Sequence, residues 1–224
     1  MRHGCGLDRR VNLERIAFLI EQEKVDIVGL NEVDHCFSRR SFFEDQGRWL
    51  ANRLNMNYVF GPAISIGQKR KREYGNALLT RYPILDKHNY IFRFKVPVAE
   101  PRSILEAKIA HDDKKNLKVL VSHFSIHPVL NNRMVRFCMD VESSVPTIIM
   151  GDFNRRPSSN AYQKMIHKYE DCAAAYPHDT FPSQKPRERL DYIFFSDHFK
   201  VIESRVIESH VSDHLPVVAE LEFE

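Results

Sequence analysis

Apolar residues along the chain fall into short runs and amphipathic stretches, a pattern that predicts many strands interleaved with a few helices. Leu13, Ile16, Ala17 and Ile20 repeat at helical spacing, so residues 11–24 read as a helix, with Asn12 at its N-cap and Glu14 in its first turn. Residues 25–30 follow as a strand that ends in Asn31-Glu32. Ser41-Phe42-Phe43-Glu44 has the form of a capping box and predicts a helix to about Asn55. Residues 58–60 read as a strand ended by Gly61-Pro62, and residues 77–80 as one ended by Tyr82-Pro83. Further strands are expected near residues 88–94, 103–109 and 118–123, with a hairpin turn over residues 111–116. Residues 129–142 are helical, with Leu130, Met134, Phe137, Cys138 and Val141 on one face. A compact apolar strand spans residues 147–150, a helix residues 158–168, and strands residues 190–195, 201–207 and 216–223.

This order predicts one α/β (α+β) domain over residues 1–224, with packed sheets covered by helices. The composition, 43% hydrophobic and 28% charged, is that of an ordinary globular chain, and a net charge of +3 does not by itself indicate nucleic acid. Cys5, Cys36, Cys138 and Cys172 are scattered, with no C-x-x-C pair. That spacing argues against a zinc ribbon or a thioredoxin-type motif and predicts buried, reduced thiols. No apolar run approaches the roughly 18 residues that a membrane span needs. The first residues carry no apolar signal segment, so a cytoplasmic protein without a transmembrane segment is expected.

The chemistry gathers at strand ends. The 147–150 strand stops at Gly151 and hands over to Asp152 and Asn154, with Pro157 soon after. Alone, this is also ordinary turn chemistry, because Asp and Asn bond their own backbone. Other predicted strands end at Glu32, His123 and Asp191, and Asp213-His214 precedes the last one. Each has a plain structural reading: a solvated terminus, a core histidine, a turn. Together they make an oxygen-rich set suited to a hard cation such as Mg²⁺ or Mn²⁺, with two histidines that titrate near neutrality.

The motifs occur in a characteristic order. Asp26-Ile27-Val28-Gly29-Leu30-Asn31-Glu32-Val33 comes first, then Gly75-Asn76-Ala77-Leu78-Leu79-Thr80-Arg81-Tyr82-Pro83-Ile84. Val121-Ser122-His123, Gly151-Asp152-Phe153-Asn154, Leu190-Asp191-Tyr192-Ile193-Phe194 and Ser212-Asp213-His214-Leu215-Pro216 follow. This series resembles the endonuclease/exonuclease/phosphatase superfamily. The resemblance implies a four-layer sandwich of two mixed β-sheets packed face to face, with helices on the outer faces, and divalent-metal-dependent hydrolysis of phosphate esters. It implies Glu32 as a metal ligand, with Asp213 also touching metal and orienting His214 as general base. Asp152 would activate the attacking water, Asn154 and His123 would hold the phosphate, and Asp191 would fix His123. Arg102 and Asn76 would bind substrate phosphate, with Glu73 on the substrate side. Members usually begin with a strand ending in an asparagine, and Met1-Arg2-His3-Gly4 begins just after that place, so the resemblance implies a chain lacking the family's first strand.

The leaving group stays open at this level. The basic run Lys69-Arg70-Lys71-Arg72 suits a nucleic-acid backbone, an anionic phospholipid head group, a polyphosphate or plain solvent. Lys185, Arg187 and Arg189, near Asp191, are further phosphate-binding candidates, while Trp49 reads as core. A phosphodiesterase is the favoured reading, with nuclease and lipid or small-molecule esterase activity both open. A binding protein that has kept the fold without turnover, and a purely structural domain, are the competing classes.

Overall fold

In the computed structural model of the chain, which describes residues 1–68, 71–112, 115–142 and 144–224, two β layers pack face to face between two helical layers. The outermost helices on one side are α1 (Leu13–Glu23) and α2 (Gln46–Leu54). Beneath them lie β1 (Ile27–His35), β2 (Asn57–Ile66) and β3 (Arg72–Thr80), antiparallel in the order β1-β3-β2. The second layer is a mixed sheet of β4 (Ile84–Phe92), β5 (Arg102–Asp112), β6 (Lys115–Ser122), β7 (Thr147–Asp152), β8 (Glu170–Asp171) and β9 (Asp191–Phe195). Their order is β4-β5-β6-β7-β9-β8, and β6 and β7 run parallel. Helices α3 (Pro128–Met139) and α4 (Asn160–Met165) cover its far face. The chain closes with an antiparallel pair, β10 (Phe199–Val206) and β11 (Val217–Phe223).

Three apolar clusters hold these layers. Ile16, Ala17 and Ile20 of α1 meet Leu50 and Leu54 of α2 above Leu30, Ala77 and Leu79. Leu78, Leu105, Val119 and Val121 fill the space between the sheets. Leu120, Ile149 and Phe194 pack against Met134, Cys138 and Met165 on the far side. Alternation explains how a strand serves two cores: Leu78 faces one cluster while Ala77 and Leu79 face another.

Several boundaries differ from those expected. Ser41 caps no helix, because its hydroxyl donates to the buried Asp34 carboxylate at 2.6 Å. Phe42 and Phe43 are left-handed, and α2 starts later with Asp45 as its N-cap, accepting from the Arg48 amide. Gly61-Pro62 does not end β2, since among the described residues this strand pairs only with β3 and an edge tolerates proline. The two-residue β8 was not anticipated. All four cysteines are free, but only Cys138 and Cys172 are buried. Trp49 is half-buried against the α1–α2 cluster, as expected of a core residue. Lys69, Arg70, Asp113 and Lys114, from the basic run and the hairpin turn, lie outside the described residues. No described helix is long and apolar enough to cross a membrane.

Candidate active site

The parallel pairing of β6 with β7 sets Val121 opposite Met150, so the chain leaves both strands at the same edge. His123 follows one strand and Asp152 ends the other, which brings His123 Nε2 to 3.4 Å from Asp152 Oδ2. Gly151 makes this approach possible: at φ +140° a Cβ would stand 1.9 Å from the Ser122 carbonyl oxygen. Asp152 Oδ1 accepts the Asn154 amide at 2.7 Å, an Asx turn that leaves Oδ2 aimed into the site. Asn154 donates its Nδ2 to the Phe124 carbonyl at 2.9 Å.

His214 completes the group. Its Nδ1 donates to Asp191 Oδ2 at 2.8 Å, and its Nε2 lies 4.0 Å from Asp152 Oδ2. The roles expected of the two aspartates are therefore corrected. Asp191, not Asp213, orients His214, and it does not hold His123. Asp213 instead faces Arg2 Nε at 3.6 Å and accepts the Ser212 hydroxyl at 3.1 Å. Asp191 is itself fixed by Thr180, whose Oγ1 donates to Oδ2 at 2.6 Å, and the Phe181 ring packs on the His214 ring at 4.7 Å. Neither Thr180 nor Phe181 carried a sequence signal, because neither belongs to a strand-end motif.

The electrostatics separate the groups. Burial raises the Asp152 carboxyl to about 7, and the charge of Asp191 adds to the rise. Burial opposes the charged form of His214, but the Asp191 hydrogen bond and charge outweigh it and raise the imidazole to about 9. His123 is held well below its ordinary value, first by burial and then by Arg102, and is neutral at pH 7.

Glu32 sits in a bulge of β1, between Leu30 and Val33, with φ +59°. The bulge turns its carboxylate toward His123 Nδ1 at 3.9 Å, and this carboxylate accepts no hydrogen bond among the described residues. Arg102 is buried beside Glu100, its Nε has no hydrogen-bond partner among the described residues, and both Glu32 and Asp152 act on its charge. Asn76 does not reach this space. It is buried, with Oδ1 accepting from Asn31 and Nδ2 donating to the Ser103 carbonyl and hydroxyl, so its expected phosphate contact gives way to a polar tie between the sheets. Asn31, passed over as a site residue, also accepts the Asp152 backbone amide. Glu73 accepts from Ser65 across β2 and β3. Arg189 is committed to a buried ion pair with Asp171, whereas Lys185 and Arg187 are exposed.

A cluster that could hold an ion is formed by Asp152, Asp191 and His214. Asp191 and His214 already satisfy each other, and Glu32 and Asp213, the two expected metal ligands, lie outside this group. An oxygen donor set fits Mg²⁺ or Mn²⁺.

Over residues 6–214 the sequence matches the Endonuclease/Exonuclease/phosphatase family. The chain belongs to that family. Solved structures agree in fold. An endonuclease/exonuclease/phosphatase from Beutenbergia cavernae superposes with a TM-score of 0.86 at 21% identity, over 99% of this chain and 69% of that one. The mannosyl-6-phosphatase of Bacteroides thetaiotaomicron gives 0.77 at 18% identity, over 94% and 90% of the two chains. The human Nocturnin catalytic domain with bound sulfate gives 0.72 at 20% identity, over 95% and 86%. A comparison with curated protein sequences finds no match. The family and the layered α/β sandwich expected from the motif order are both borne out.

Proposed function

We propose that the protein is a divalent-metal-dependent hydrolase of phosphate esters, a phosphodiesterase in its simplest form, that attacks phosphorus with an activated water. The observation that carries this reading is one carboxylate oxygen, Asp152 Oδ2, lying between His123 Nε2 at 3.4 Å and His214 Nε2 at 4.0 Å, with Asp191 behind His214 at 2.8 Å. A raised carboxyl accepts a proton near neutrality, so Asp152 takes the proton of the attacking water. His214, expected as the general base, is kept charged by Asp191 and instead meets the negative charge that develops on the phosphoryl oxygens. His123, neutral and buried, binds a phosphoryl oxygen through its ring N–H. Asn154 orients the same group, and the buried Arg102 guanidinium supplies a second cationic contact.

Glu32 and Asp213 would hold Mg²⁺ or Mn²⁺. Such an ion supplies Lewis-acid stabilisation of phosphoryl charge when bound. The leaving group is either a nucleoside of a nucleic acid or the alcohol of a phospholipid or small molecule. Hydrolysis of bis(p-nitrophenyl) phosphate, p-nitrophenyl phosphate and supercoiled plasmid is measured in Mg²⁺ and in Mn²⁺, with Asp152→Asn in parallel. Metal-dependent hydrolysis of the diester that disappears in the variant supports the proposal. Hydrolysis of the monoester alone assigns a phosphatase. No hydrolysis of any of the three by the folded protein overturns the reading.

A further inference from the structure

Aliphatic side chains gather in water on one rim of the candidate active site. Val96, Val98, Ile126 and Val129 are between 54% and 69% exposed. Val96 and Val98 belong to the segment that joins β4 to β5, where the Val98 amide donates to the Val96 carbonyl at 2.8 Å in a tight turn around Pro97. Ile126 and Val129 flank the start of α3.

Contacts join the two pieces into one surface. The Phe94 ring meets the His127 ring edge-on at 4.9 Å, and Arg133 of α3 donates to the Arg93 carbonyl at 3.3 Å. The same surface is fastened to the site. Arg155 donates through one nitrogen to the Asn154 carbonyl at 2.7 Å and through another to the Ile126 carbonyl at 3.0 Å. The β4–β5 segment ends at Arg102, and the segment bearing Ile126 starts from His123. A lone exposed valine is ordinary, but aliphatic residues grouped beside a site mark a place where something docks.

Charge selects the partner. Arg93, Lys95 and Arg133 are exposed among these aliphatic residues and form no ion pair among the described residues. Glu100, the acidic residue of the β4–β5 segment, is already paired with Arg102. A nucleic-acid backbone would engage the cations and leave the aliphatic side chains wet. A lipid–water boundary takes both: aliphatic side chains enter the acyl layer, and cations meet the head-group phosphates of anionic lipids.

We propose that this rim docks the protein on an anionic lipid surface and so presents the site to phosphate esters carried in that layer. The choice of substrate rests on the phosphate-ester hydrolase reading, whereas the docking stands on the rim alone.

The unmodified chain is sedimented in EDTA with vesicles of phosphatidylglycerol and phosphatidylcholine, and with vesicles of phosphatidylcholine alone. The expected result is binding to the anionic vesicles, weakened by salt. Combining Val96→Ser, Val98→Ser and Ile126→Ser should lower the partition about tenfold or more. Combining Arg93→Gln and Lys95→Gln should remove the preference for anionic vesicles. In Mg²⁺ or Mn²⁺, the serine variant should hydrolyse vesicle phosphatidylglycerol about tenfold more slowly or worse, and bis(p-nitrophenyl) phosphate at the parent rate. No vesicle binding by the folded chain, or equal binding by the serine variant, overturns the docking, even where the soluble diester is hydrolysed. Binding of plasmid but not of vesicles also overturns it and makes the cations a nucleic-acid contact. Vesicle binding that is lost in the serine variant, with no hydrolysis of any ester, upholds the docking and removes the hydrolase reading instead.

Discussion

Asn31 Oδ1 accepts a hydrogen bond from the backbone amide of Asp152, 121 positions away in the chain, at 2.9 Å. The amide nitrogen of the same side chain donates to Asn76 at 2.8 Å, so one carboxamide ties β1 to both β3 and β7. Asn31→Leu removes the acceptor and leaves a buried N–H unpaired. It is expected to cost about 1–3 kcal/mol, seen as a lower urea midpoint and a Tm lowered by several degrees. A variant as stable as the parent would show that the tie contributes nothing.

Asp152→Asn keeps the shape of the side chain and removes the proton acceptor. Hydrolysis is expected to fall by about 10²–10⁴-fold, with the thermal melt still cooperative. Turnover at the parent rate would end the assignment of Asp152 as base.

Thr180 reaches the reaction only through Asp191 and His214. Thr180→Val deletes the 2.6 Å hydrogen bond to Asp191 and is expected to lower kcat by roughly ten- to a hundredfold at nearly constant KM. Thr180→Ser, which restores the hydroxyl, should recover most of the loss. Equal defects in the two variants would point to packing rather than positioning.

His214 makes metal-free stability fall as pH rises above neutrality. Its folded value is raised to about 9 from an ordinary 6.5, so the folded form holds the proton more tightly. The stabilisation is full below about 6.5 and is lost as pH rises through about 9, about 3 kcal/mol in all. Urea unfolding in EDTA between pH 6.5 and 9.5 should show this decline. The slope should flatten in His214→Gln.

Chelation tests the cation directly. EDTA is expected to abolish hydrolysis, and added Mg²⁺ or Mn²⁺ to restore it, while zinc, which prefers nitrogen and sulfur donors, restores less. Full activity in excess chelator would remove the metal from the reaction.

The strand-end motifs were legible because a strand's period and its terminating residue are local properties. Glu32, His123, Asp152, Asn154, Asp191 and His214 do converge. What sequence did not convey was which aspartate serves which histidine. Asp213 adjoins His214 in the chain, yet the backbone turns its carboxylate toward Arg2, and the imidazole finds Asp191 across the fold. Burial likewise decides the fate of Asn76: its motif is intact, but β3 carries it between the sheets, where Asn31 and Ser103 take all its hydrogen bonds. The capping box at Ser41 failed for a similar reason, since a buried carboxylate competes for the hydroxyl better than an exposed helix end does.

The parallel register of β6 and β7 carries one more implication. Because Val119 opposes Ile148 and Val121 opposes Met150, a slip by a single residue would send the side chains of one strand into the wrong core and separate His123 from Asp152 in the same movement. Assembly of the proposed site and formation of the core are thus one event: a partly assembled sheet cannot hold His123 against Asp152, and the two residues meet only when the central strands close.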